Sequence, residues 1–185
     1  MPFLNPSSTF FRSPQQGKIF GLLLLSTSFC IALVAYRLYL MQFDVQLLAN
    51  RAAFFRLRGT PTFFFLIWNL LLAWIPYLLA WCMSRCWSWR GSQMGAWLIG
   101  IVWLLFLPNA PYLLTDLLHL KSRSPIPFWY DTMLFLSFGW TGLMLGLAAL
   151  YEVQLWLRLH YPKWISNSLI FISIVLSGVG VYLGR

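Results

Sequence analysis

Residues 105–120 read LFLPNAPYLLTDLLHL, and their reading decides how the chain is built. The flanks are apolar enough for a bilayer, yet Pro108 and Pro111 interrupt them and Asn109, Tyr112, Asp116 and His119 place polar groups among leucines. A helix from Met94 to Leu107 is about 21 Å long at 1.5 Å per residue. The hydrocarbon layer is about 30 Å thick, so the helix meets Pro108 before it has crossed. Continuing to Leu118 brings it through. The two prolines lack the N–H groups that would bond the carbonyls of Leu104 and Leu107, and each disfavours helical geometry in the residue before it. A carbonyl freed in lipid costs several kcal/mol if nothing bonds it. Asn109, water or a neighbouring helix is therefore expected beside the break.

Composition agrees that the surroundings are lipid. Of 185 residues, 60% are hydrophobic and 9% charged, whereas a water-soluble domain carries roughly 25% charged residues. The chain is predicted to be all-α, a polytopic transmembrane helix bundle of about five spans. These are Ile19–Leu40, Phe63–Met83 (with Pro76 inside it), Met94 into the broken motif, Thr132–Leu155 and Trp164–Leu183. Trp87, Trp89, Trp129, Tyr130, Tyr161 and Trp164 stand at span ends, where amphipathic rings prefer the interface. The N-terminal apolar run has membrane length and no small-residue cleavage site after it, so it is expected to remain as a helix.

Three regions follow: a tail over 1–18, a first span with a basic loop over 19–61, and a membrane domain over 62–185. In the loop, Val45, Leu48, Ala52 and Phe55 share one helical face while Gln46, Asn50, Arg51 and Arg58 lie elsewhere. A basic helix on the membrane surface and an irregular basic loop both fit.

The net charge of +9 sets 13 Lys and Arg against four acids, Asp44, Asp116, Asp131 and Glu152. The bases gather between apolar runs, so the partner they indicate is a bilayer with anionic headgroups, not nucleic acid. With the N-terminus inside, six bases fall inside and seven outside, a balance that assigns no orientation. Arg37, near the end of the first span, is expected to snorkel to the headgroups. Glu152 has two readings, pairing with Arg158 or reaching the interface. Cys30, Cys82 and Cys86 complete no metal pattern and read as apolar filler.

The candidate polar site is Asn109, Tyr112, Asp116, His119 and Asp131. At 100° per residue the first four fall within an arc of about 80°, on one stripe of a helix. Asp116 and His119, three apart, can share a proton or a metal ion. Asp131 has two readings: an N-cap of the fourth span, or a third ligand beside Asp116 and His119 that would suit a divalent cation. Asn69 in the second span is positioned either to bond the broken helix or to serve packing. Pairs of small residues four apart, Gly142 with Gly146 and Gly180 with Gly184, let helices approach closely. They predict tight packing of the fourth and fifth spans, against each other, another helix or a second copy of the chain. No cofactor is indicated.

Taken in order, FLIWNLLLAWIP, WLLFLPNAPYLLTDLLHL, FWYD with LSFGWTGLMLG, and SGVGVYLGR resemble the bacterial DUF1361 family of predicted membrane proteins, over about residues 62–185. The resemblance implies a multi-spanning protein of a bacterial cytoplasmic membrane and supplies no activity. It also implies a polar segment and a further helix beyond YLGR, so the chain reads as a shortened version. Three roles compete on these residues. A transport-like role fits the broken span, a structural role fits the small-residue faces, and a membrane-embedded enzyme acting on a lipid-linked substrate fits the Asp and His residues.

Overall fold

The computed structural model describes residues 14–40, 63–90, 93–120 and 126–184, and among these every element is helical. The basic loop with Arg51 and Arg58 and its two readings lie outside the described residues, as do the side chains of Cys86, Trp87, Trp89 and His119. The helices are α1 (Pro14–Leu40), α2 (Phe64–Arg90), α3 (Gln93–Phe106), α4 (Asn109–Thr115), α5 (Phe128–His160) and α6 (Lys163–Leu183), with a 3-10 turn over Asp116–His119. Among the described residues, five segments are long and apolar enough to cross a membrane, α3, α4 and the start of the 3-10 turn making up one of them.

Proline sets several of the helix starts. Pro14 opens α1, while Pro127 and Pro162 stand extended just before α5 and α6. A helix's first N–H groups have no partner inside it, so proline gives up nothing there, and its fixed φ suits the entry. Interior proline acts differently. Pro76 leaves the Leu72 carbonyl without its usual donor, yet α2 continues through it.

α5 is the centre of the bundle. It is 33 residues long, about 50 Å at 1.5 Å per residue, and it packs against α1, α2, α4 and α6. Leu134, Phe135, Phe138, Leu145 and Ala149 are buried along it. Leucines and aromatics elsewhere, such as Leu22, Leu25, Trp68, Leu98 and Phe171, face outward, as they must where the surrounding solvent is lipid.

The register of α1 on α5 is antiparallel. Gln16 meets Glu152, Ser26 and Cys30 meet Thr141, and Arg37 meets Asp131. From Gln16 to Arg37 the helix rises about 31 Å, close to the thickness of the hydrocarbon layer. The bundle therefore has a Gln16 end and an Arg37 end, each carrying a buried polar pair. α2 starts at the Arg37 end, α3 and α4 climb back to it, α5 descends from it, and α6 returns.

Candidate functional site

The third span is interrupted, but gently. Leu107 still donates its N–H to the Trp103 carbonyl at 2.9 Å, and Pro108 keeps helical dihedrals (φ −60°, ψ −24°). The Ala110 N–H then bonds the Leu107 carbonyl at 3.2 Å, three residues back instead of four. That shift gives the Leu107 carbonyl the donor Pro111 could not supply. It leaves the Phe106 carbonyl to be bonded from elsewhere, and the Asn109 side chain donates to it at 3.0 Å. Asn109 thus patches the backbone at the break and does not project into a shared site.

Beyond the break the stripe separates. The Tyr112 ring lies near the end of α6, where a Cβ on Gly184 would sit 3.8 Å from it. Asp116 turns to α2 instead. It is 2% exposed and accepts a hydrogen bond from Asn69 Nδ2 at 2.9 Å. His119 closes the 3-10 turn at the Arg37 end.

Asp131 is engaged by α1. α5 begins at Phe128 after Pro127, so Asp131 lies one turn inside the helix and is not its N-cap. Arg37 donates to it twice, Nε to Oδ1 at 2.8 Å and Nη2 to Oδ2 at 3.3 Å, and both side chains are 1% exposed. Arg37 does not snorkel to the headgroups. Two parallel N–H bonds suit a planar guanidinium, and the group also lies 4.0 Å over the Phe63 ring. Phe63 holds a left-handed backbone (φ 56°), at a cost of about 1–2 kcal/mol for an L-residue. Its ring is fixed beneath Arg37 and edge-on to Phe135 at 5.0 Å. One residue before Asp131, the Tyr130 hydroxyl donates to the Leu33 carbonyl at 2.7 Å.

The site residues therefore fall into two separate polar pairs at the Arg37 end, Asn69–Asp116 and Arg37–Asp131. The carboxylate of Asp131 is committed to a cation, and no group of three His, Cys, Asp or Glu able to hold a metal occurs among the described residues. Glu152 pairs with neither Arg158 nor the interface. It is buried and accepts from Gln16 at 2.8 Å, while Arg158 reaches Asn167.

The glycines fit the broken segment. A Cβ on Gly142 would come within 2.5 Å of the Ala110 carbonyl oxygen, and one on Gly146 within 3.2 Å of the Ala110 Cβ. Gly139, which sequence spacing did not single out, faces Leu114 on the same contact, and Gly180 faces the Pro108 ring. The fourth and fifth spans thus both close on the α4 region. Arg37 and Gln16 are the other residues missed. Arg37 sits in an apolar run and Gln16 in the polar stretch just before it, with their partners 94 and 136 positions away, and no local spacing links them.

A bundle of five membrane-length helices, with polar pairs buried inside it and a proline-interrupted helix clamped between glycine faces, is a multi-pass integral membrane protein. The chain belongs to the DUF1361 family, described as a protein of unknown function, which it matches over residues 68–185. No curated protein and no solved structure matches it.

Proposed function

We propose that this protein has a non-enzymatic, transport-like role, with Asp116 and Asn69 as the polar site on the broken third span. The observation that carries the reading is a carboxyl group buried inside a span, directly after the proline break, bonded by an amide from another helix. Ionisable side chains within spans are costly and mark ion or substrate routes. Interrupted helices line such routes in transporters. The setting that agrees with the family resemblance is a bacterial cytoplasmic membrane, with anionic headgroups against the basic loops.

The test is cation flux in proteoliposomes, with proton, sodium and potassium gradients imposed in turn. Flux of one of them is expected above that of empty vesicles, and Asp116→Asn should lower it at least tenfold. Flux unchanged by Asp116→Asn overturns the reading. A structural role is favoured by one observation, the glycine contacts around Pro108 and Ala110. It wins if cells tolerate Asp116→Asn but not Gly142→Leu. The metal-assisted enzyme reading is weaker, since Arg37 takes up the carboxylate its third ligand would need.

A further inference from the structure

α5 and α6 meet at the Gln16 end in a polar patch that faces outward. Gln154 and Arg158 stand one turn apart on α5, and Lys163 and Asn167 one turn apart on α6, so each pair shares a helix face. A single acceptor ties the two pairs together. Asn167 Oδ1 accepts from Gln154 Nε2 at 3.2 Å and from Arg158 Nη2 at 3.4 Å. Arg158, Lys163 and Asn167 are exposed, and Gln154 is partly so. The level is that of the headgroups. Tyr161 lies edge-on to Trp97 of α3 at 6.1 Å and Trp164 is 71% exposed, as amphipathic rings are at a membrane interface.

The patch carries cations and no acid. Residues 153–185 contain no Asp or Glu. Glu152 is buried in the bundle and bonded by Gln16, while Asp116 and Asp131 lie at the opposite end. Among the described residues, Arg158 has the Asn167 amide oxygen as its hydrogen-bond partner and Lys163 forms no ion pair. The other charged residues at this end have the same sign. Lys18 stands exposed on α1, and the last turns of α2 hold Arg85 and Arg90. His160, its Nδ1 2.8 Å from the Trp156 carbonyl, adds no negative charge.

A staple between α5 and α6 does not account for this arrangement. The Gln154–Asn167 bond alone would join the helices, whereas Arg158 brings to the same oxygen a charge that no carboxylate bonds. What the oxygen does is fix where that charge stands. A long arginine side chain is otherwise free to snorkel among many headgroups. Here it is turned onto the face of α6 that bears Lys163. The remaining N–H donors of Arg158, the Asn167 amide N–H groups and the Lys163 ammonium then lie on one side of the α5–α6 turn. A planar guanidinium and an ammonium are the donors that recognise phosphate, and basic pockets between spans bind anionic lipid headgroups.

We infer that this patch binds the phosphate of an anionic phospholipid. Arg158 and Lys163 supply the charge, and Asn167 holds Arg158 in place and offers its own N–H groups. The site is independent of the transport reading, since it concerns the lipid the bundle retains and not the species it moves.

The experiment is native mass spectrometry of the full chain, released from neutral detergent that holds phosphatidylglycerol and phosphatidylcholine in equal amounts. Phosphatidylglycerol should be retained well above phosphatidylcholine. Arg158→Gln keeps an amide near Asn167 and should lower that retention about tenfold or more, the worth of a hydrogen bond to a charged group. Lys18→Gln, at the same end, should lower it no more than the roughly fivefold that any base near an anionic surface contributes. Asn167→Leu removes no charge, yet should cost about threefold, the worth of a weak neutral hydrogen bond. Arg158→Lys keeps the charge without the planar fork and should fall between wild type and Arg158→Gln, which keeps the test open if Arg158→Gln fails to fold. Equal retention of the two lipids overturns the proposal, as does Arg158→Lys retaining lipid like the wild type. Equal losses in Lys18→Gln and Arg158→Gln, or none in Asn167→Leu, would mean a diffuse basic surface and overturn it too. Inorganic phosphate at the lipid's concentration should leave retention unchanged. Displacement by it assigns the patch to a soluble anion and removes the lipid as its ligand.

Discussion

α5 is held in two different ways along two of its sides. Toward α1 it is bonded by side chains: Arg37 to Asp131 at one end, Ser26 and Cys30 to Thr141 in the middle, and Gln16 to Glu152 at the other. Thr141 spends its own proton on the Ser137 carbonyl at 2.8 Å, so Ser26 and Cys30 are the donors in that central cluster. Toward α4 the contact is almost without polar side chains, and Gly139, Gly142 and Gly146 let the backbones close. Lipid tails are as apolar as leucine, so neither seam gains much from hiding apolar surface, and association depends on bonds or on fit. The bonded seam should fail abruptly when one partner is removed. The fitted seam should fail in proportion to the atoms added.

The largest effect is expected at the bonded seam. Asp131→Ala leaves the Arg37 guanidinium buried without its counter-charge, which costs about 3–5 kcal/mol in a buried pair. Unfolding followed in mixed micelles should show that loss, and Arg37→Ala should match it. The reversed pair, Arg37→Asp with Asp131→Arg, should recover part of the loss, though the guanidinium would no longer lie over Phe63. A single mutant within about 1 kcal/mol of wild type, as for a surface pair, would break the comparison.

Next comes the fitted seam. Gly142→Ala adds one methyl whose nearest neighbour is a backbone oxygen, the Ala110 carbonyl. That atom cannot rotate aside, so α4 must move, at a cost of about 1–3 kcal/mol for overpacking. At Gly146 the added methyl meets the Ala110 Cβ at 3.2 Å, and a smaller loss is expected. Equal losses at the two positions would mean that the seam is not graded by shape.

The two seams differ in the same way in how far the sequence reveals them. Span number and the break at Pro108 were readable because length and proline chemistry are local. Glycines four apart were readable because a face is a local property, although the helix they meet was not. Arg37 reads from sequence as a snorkelling residue because it stands three residues from the end of its apolar run, where headgroups are the usual partner; in the structure it is buried against Asp131. Sequence offers Asp131 both a cap and a ligand role, and Glu152 both Arg158 and the interface, because each true partner comes from α1, a helix whose register no periodicity encodes. Asn109, Tyr112 and Asp116 share an arc on an ideal helix, but the one-residue shift at Ala110 turns Asn109 back onto Phe106.

A smaller effect is expected where one polar bond crosses between helices away from both seams. Asn69→Ala removes the amide that meets Asp116 and should cost about 0.6–1.7 kcal/mol, the range for single interhelical hydrogen bonds in membranes. Asn69→Asp sharpens the point by setting a second carboxyl against the first. It should be the less stable of the two variants at alkaline pH and should recover toward Asn69→Ala as acid neutralises the pair, since like charges oppose ionisation. Stability measured across that pH range with no such convergence would mean the two side chains do not face one another.

The smallest effect has the opposite sign. Gly178 lies on α6 with nothing within 4 Å of where its Cβ would stand, two residues from Gly180, whose Cβ would meet the Pro108 ring at 2.5 Å. Both sit in one helix but point to opposite sides of it, so propensity is shared and the neighbour differs. Gly178→Ala should be neutral or gain up to about 1 kcal/mol, because alanine is the better helix former and constrains the unfolded chain. Gly180→Ala should lose stability by pushing α6 off Pro108. If both substitutions stabilise alike, α6 does not depend on that close approach, and the broken span is clamped from the α5 side alone.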